Sequence, residues 1–199
     1  PLDDRGFELF GARFRDQSPH PISRKYVYRP PMSPIPGQAS AAIGGRSFDL
    51  TATITRQRND NGVLFSTGTE NSGISIFIQN ERLVVDYNAF DNHSVVMSSI
   101  EIPAGYSTVS AQFRRLKKGG EITIYVNGEP SGSVRVPLFM RMISSVGSSI
   151  GYDHGSAVSP QYESPFPFQG QLHQIEIQLA AKRAPDADKA QARAENARQ

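Results

Sequence analysis

Asp153, His154, Tyr162 and Glu163 stand together in one short stretch, GYDHGSAVSPQYESPFPFQG (151–170), set among glycines, prolines and serines. A carboxylate beside an imidazole can serve acid–base chemistry, activate a nucleophile or hold a metal ion. Each of these needs partners elsewhere in the chain. Serine hydrolysis needs an activated hydroxyl against His and a carboxylate. Its four histidines (20, 93, 154 and 173) are scattered along the chain. His20 falls in a proline-rich arm, and strand alternation turns His173 inward; His154 is expected at the surface or an interface. There is no H-E-x-x-H spacing and no cysteine, which excludes thiolate zinc sites, disulfides and cysteine nucleophiles. Glycoside hydrolysis sets two acids across one face, whereas Asp86, Glu101, Glu121 and Glu176 are each solitary.

Binding is the chemistry left. Loop Asp and carbonyl oxygens can hold calcium, and TENSG (69–73), DYNAFDN (86–92) and YDHG (152–155) supply them. The same residues are good turn formers. Asp153 is thus a candidate calcium ligand or, as the structural alternative, the acceptor of backbone N–H groups that ties down the 151–170 loop. Pro165 and Pro167 hold that loop extended, so that Phe166 and Phe168 can insert into an apolar edge. A sugar site would want exposed aromatic faces. Trp is absent, which leaves Tyr87, Phe90 and Tyr152 as carbohydrate-binding candidates. Tyr125 is also available, although alternation places several of these rings inward.

The elements that must position these groups fall into three zones. Residues 1–45 form an irregular arm with prolines at 19, 21, 30, 31, 34 and 36. Proline fixes φ and removes a donor, so an extended segment lying over another surface is expected. Residues 46–180 alternate with period two. SFDLTATI puts Phe48, Leu50, Ala52 and Ile54 on one face. GISIFIQNERLVVDYN reads as two strands around Gln79–Glu81, and EITIYVNGEPSGSVRV as a hairpin on Asn127–Gly128. Nine or ten such short strands predict an all-β, two-sheet antiparallel sandwich. Residues 181–199, Ala-rich and charged, predict a frayed helix or disorder.

Composition narrows the partners. A 38% hydrophobic and 20% charged chain of 199 residues suits one globular domain. Its net charge of +2 gives no footprint for nucleic acid. The basic run RRLKKGGE (114–121) fits a solvated hairpin turn. No apolar run approaches the roughly 20 residues of a membrane span. The compartment stays open.

The runs GVLFSTGTENSGISIFIQNERLVVDYNAF, VNGEPSGSVRVPLFMRMISS and GYDHGSAVSPQYESPFPFQGQLHQIEIQL closely resemble the C-terminal region of large bacterial arylsulfatases. PLDDR (1–5) looks like the segment that follows their catalytic domain. More broadly, the strand order is similar to laminin G-like and concanavalin A-like jelly rolls. The resemblance implies a fragment without catalytic residues or cofactor. Formylglycine arises from a C/S-x-P-x-R motif, and SGSVR (131–135) lacks its proline; formylglycine and calcium would belong to the parent's upstream sulfatase domain. Two roles follow. The domain packs on and supports that catalytic domain through Tyr26, Tyr28, Tyr162, Phe166 and Phe168, or it binds a carbohydrate or sulfated polymer.

Overall fold

The structure, a computed structural model, describes residues 25–37, 39–140 and 146–180. Among these residues eleven strands build two antiparallel sheets. The six-stranded sheet has the order β1 (Lys25–Tyr28), β11 (Gln171–Leu179), β2 (Phe48–Arg56), β7 (Gly105–Arg115), β8 (Gly120–Val126), β9 (Glu129–Val136). The five-stranded sheet has the order β10 (Ser148–Ile150), β3 (Gly62–Thr69), β4 (Ser72–Gln79), β5 (Arg82–Ala89), β6 (Asn92–Met97). Alternation fixes the register of the first sheet. Along β2, Phe48, Leu50, Ala52 and Ile54 are buried, while Asp49, Thr51, Thr53 and Thr55 face outward half-buried. Phe48 stacks on its cross-strand partner Phe113, ring centroids 4.2 Å apart. Three of the tight turns sit where two consecutive residues take positive φ: Asn80–Glu81, Phe90–Asp91 and Asn127–Gly128. That backbone hand matches the twist of the strands it joins.

The central strands of the five-stranded sheet break the alternating pattern because both of their faces are covered. Ile74, Ile76, Ile78, Leu83 and Val85 join the core between the sheets. On the outer face Val63, Phe77 and Val84 form a second apolar cluster with Tyr162, and Ala157 and Phe166 pack against it. The cover is the 151–170 loop. Burying side chains such as Phe77 or Val84 is worth about 1.5–3 kcal/mol each, so this loop is part of the domain's own stabilisation.

The arm differs from its expectation. Lys25–Tyr28 is an edge strand on β11, with Lys25 paired to Glu176 at 2.8 Å. The chain then crosses to the other sheet, where Ile35 and Ser148 exchange two backbone hydrogen bonds (2.8 and 3.0 Å). A Cβ on Gly147 would lie 1.7 Å from the Ile35 carbonyl oxygen, so only glycine admits the crossing. Ile35 and Ile43 are buried in the main core. The described part of the arm therefore packs along the sandwich and gives Tyr28, Ile35 and Ile43 to its core. The expectations for residues 1–24 and 181–199 lie outside the described residues.

Candidate functional site

Asp153 is fully buried beneath its loop. Its Oδ1 accepts from the Ser66 hydroxyl (2.9 Å); Oδ2 accepts from the Tyr162 hydroxyl (2.6 Å) and the Val158 N–H (3.1 Å). Its backbone N–H bonds to Pro165 and its carbonyl accepts from Ser164. Burial, with the Asp153 carboxylate alongside, pushes the Tyr162 hydroxyl well above the ordinary phenol range. It stays protonated and donates, while the Ser75 hydroxyl lies 2.8 Å from the same oxygen. Both carboxylate oxygens are thus occupied by the protein's own donors. The carboxylate anchors the loop to β3 through Ser66, and to β4 through Tyr162 and Ser75. Among the described residues no three His, Asp or Glu side chains converge as a metal site. His93 sets Nδ1 2.9 Å from Asp86 on the same sheet, and His154 turns its ring to the Ser149 hydroxyl, which is itself buried.

The aromatic candidates separate. Tyr87 is fully buried between the sheets, stacked on Phe139 (5.5 Å), and its oxygen accepts from the Met140 N–H at 2.8 Å. Burial pushes its hydroxyl up to about 12. It cannot offer a face to a ligand; the sequence pattern misleads here because β5 is covered on both sides. Phe90 is 66% exposed on its turn, and Tyr152 is half-buried on the wall of a pocket. The expected interdomain aromatics are largely consumed within the domain. Tyr28 is in the core, with Tyr26 and Phe168 packed against it. Tyr162 and Phe166 stack at 5.2 Å over Phe77.

A cluster the sequence does not announce lies at one end of the six-stranded sheet. Gln171 pairs with Thr55, and Thr55 with Tyr106, across β11, β2 and β7. The register slips between Leu172 and Gln174. A bulge inserts one extra residue and re-aims the side chains around it. Leu172 takes the inward position, and His173 is released from the core face that simple alternation assigns to it. Its Nε2 lies 2.8 Å from the Thr55 hydroxyl, and its ring lies 5.8 Å from that of Tyr106. Tyr106 is 70% exposed. Beside this pair opens a polar cleft of about 560 Å³, lined by Thr55, Arg56, Gln57, Asp60, Gln169 and Gln171. The Arg56 side chain is withdrawn from solvent, donating to the Ile102 carbonyl and lying 3.8 Å from Glu81. Asp60 accepts from the Gln57 N–H (2.7 Å), and Gln169 from the Asn61 N–H (3.0 Å), so the cleft walls are held in place. An aromatic pair beside fixed amides, a hydroxyl and a carboxylate can stack a sugar ring and satisfy its hydroxyls. The one readable sign in the sequence was Tyr106 directly after Gly105, at the start of a strand.

No family model matches the chain, and no curated protein matches it. Solved structures share its fold. The CBM40 of the Ruminococcus gnavus IT-sialidase aligns with TM-score 0.53 and 14% identity, over 67% of this chain and 76% of that one; the same module has been solved bound to alpha2,6 sialyllactose. Domains LG4-5 of the mouse laminin alpha1 chain align with TM-score 0.53 and 16% identity, over 80% of this chain and 41% of theirs. The LG1-3 region of the laminin alpha2 chain gives TM-score 0.52 at 14% identity, over 77% of this chain and 30% of that one. These matches give no support to a sulfatase parent. They establish the architecture: an all-β sandwich of the laminin G-like and concanavalin A-like kind.

Proposed function

We propose that this domain is a carbohydrate-binding module, non-catalytic and without a cofactor of its own, whose site is the Tyr106–His173 pair and the adjoining cleft. The observation that carries the reading is Tyr106, a large ring 70% exposed on the strand next to Thr55, whose side chain bonds His173 and which itself lines the cleft. A solvated tyrosine face braced by a histidine is ready to stack on the apolar face of a pyranose. A neighbour of the same fold solved with a sialylated sugar gives independent support. The support role toward a sulfatase catalytic domain is less favoured, because Tyr28 and Tyr162, expected to pack on it, are covered by this domain itself.

The test is a glycan array probed with the whole chain and with Tyr106→Ala. Binding to a defined set of glycans, lost at least about tenfold in the variant with no change in melting temperature, is expected. Binding that survives Tyr106→Ala unchanged would move the site elsewhere, and an empty array would remove the reading.

A further inference from the structure

The outer face of the six-stranded sheet continues from Tyr106 along β7. Tyr106, Thr108, Ser110 and Gln112 point outward there, because Ser107, Val109, Ala111 and Phe113 between them are buried. On the paired strand β2 the outward residues over the same span are Thr55, Thr53 and Thr51, opposite Tyr106, Thr108 and Ser110. Beyond Tyr106 this strip of the two strands is lined by hydroxyls, each able to donate and to accept as sugar hydroxyls do. The first outward charges along it, Asp49 and Arg114, are paired with each other at the far end. A second ring stands at that end. Tyr125 on β8 lies opposite Ser110, half-buried on the outer face between the inward Ile124 and Val126. Its hydroxyl donates to the Gln112 Oε1 at 3.2 Å, the diagonal neighbour across the strand pair, which tilts the ring over β7. Four steps along β7 separate the levels of Tyr106 and Tyr125, about 14 Å at the rise of an antiparallel strand. That is the length of several pyranose rings linked end to end.

We infer that the ligand is a linear glycan chain of about four sugars or more, lying along β7 over Thr108 and Ser110 with one sugar stacked on Tyr106 and another on Tyr125. The inference rests on the carbohydrate reading and adds the length and direction of the ligand to it. The pairing of the sheet joins the two ends: Tyr106 and Ser110 share one strand, and Ser110 faces Tyr125. A single terminal sugar on Tyr106 would leave the hydroxyl strip and the second ring unused.

Calorimetric titration of the full chain with size-defined cello-, xylo-, manno- and hyaluronan oligosaccharides, from dimer to octamer, reads that length directly. In a series that binds, the hexamer is expected to bind about tenfold tighter than the dimer or more, the gain from a second ring contact and the hydroxyls before it, with no further gain in the octamer. Tyr125→Ala should bring the hexamer down to the affinity of the dimer and leave the dimer unchanged, whereas Tyr106→Ala should weaken both. Thr108→Glu, which raises a bulkier charged side chain midway along the strip, should remove the gain without touching either ring. Each variant is checked for an unchanged melting temperature. Equal affinity for dimer and hexamer overturns the inference and leaves the carbohydrate reading standing, and so does a length gain that survives both Tyr125→Ala and Thr108→Glu. Array binding combined with no binding in any of these series also overturns it, whereas an empty array together with silent titrations removes the carbohydrate reading itself.

Discussion

Replacing Asp153 by alanine removes three acceptor contacts at once, and their fates differ. The Val158 N–H loses the carboxylate it donates to, and a buried orphan donor costs about 1–3 kcal/mol. The Tyr162 hydroxyl keeps Ser75, and the Ser66 hydroxyl can fall back on the Tyr152 carbonyl at 3.4 Å. Each of these loses a charge-assisted bond and keeps a neutral one, roughly 1 kcal/mol apiece. Relief from burying a carboxylate offsets part of the sum. The expected net loss is about 3 kcal/mol, or a melting point lower by roughly 10 °C for a domain of this size. Asp153→Asn should cost much less, about 1 kcal/mol, because one carbonyl oxygen can still serve Tyr162 and Val158 while the amide donates to Ser66. Urea denaturation of both variants and of Tyr162→Phe, with the double variant Asp153→Ala/Tyr162→Phe to close the cycle, gives the coupling directly. A coupling near 1 kcal/mol is expected for groups 2.6 Å apart. An Asp153→Ala protein that melts like the parent yet loses calcium affinity would refute this account and make the carboxylate a ligand-binding group.

Two further outcomes follow from geometry and titration. Gly62→Ala places a Cβ 2.4 Å from the Pro167 carbonyl oxygen and the Phe168 Cα at a φ of +129, so a loss of about 3 kcal/mol or more in urea is expected. Tyr87 ionises near 10 when unfolded but only near 12 when folded. The folded state therefore holds an extra proton between those values, and its contribution is full below about pH 10 and lost as pH rises through 12, roughly 1.4 kcal/mol per unit. Tyr162 is shifted in the same direction. With both tyrosines holding a proton, stability should fall by about 2.7 kcal/mol per pH unit above pH 10 and by about half that in Tyr87→Phe; an unchanged slope in the variant would show the tyrosine is not buried as described.

The sheets were readable wherever one face met water. Along β2 and β8 the period of two assigns every inward residue correctly, and Asn127–Gly128 marks its own turn. Reading failed where that period loses meaning. In β5, seven successive residues are buried, so parity cannot tell Tyr87 in the core from Asp86 beneath the loop. In β11 a single bulge reverses the face of His173; its one trace in the sequence is the odd spacing between Leu172 and Ile175, which counting back by twos from Ile175 passes over. The arm strand carries no periodicity over four residues, so its pairing with β11 rests on distant Ile175 and Ile177, which no local pattern names.

The buried loop and the open cleft are one device. The 151–170 segment shields the outer face of the five-stranded sheet, anchored at its start by Asp153 and along its length by Tyr162 and Phe166 on Phe77. Its far end then turns outward and becomes a wall: the Phe168 N–H bonds to the Gly151 carbonyl and the Gln169 N–H to the Asn61 carbonyl, 2.9 Å each. Gln169, Gly170 and Gln171 are therefore placed in part by the loop's own backbone contacts, at the Gly151 and Asn61 carbonyls. A side chain held in position by a rigid support recognises its ligand with less ordering on binding than one on a free loop. Loosening the anchor should then weaken glycan binding as well as stability, with the affinity loss appearing while the sheets are still folded, whereas Tyr106→Ala removes binding alone. The order of those two losses under mild denaturant separates a wall positioned by the loop from one positioned by β11 itself.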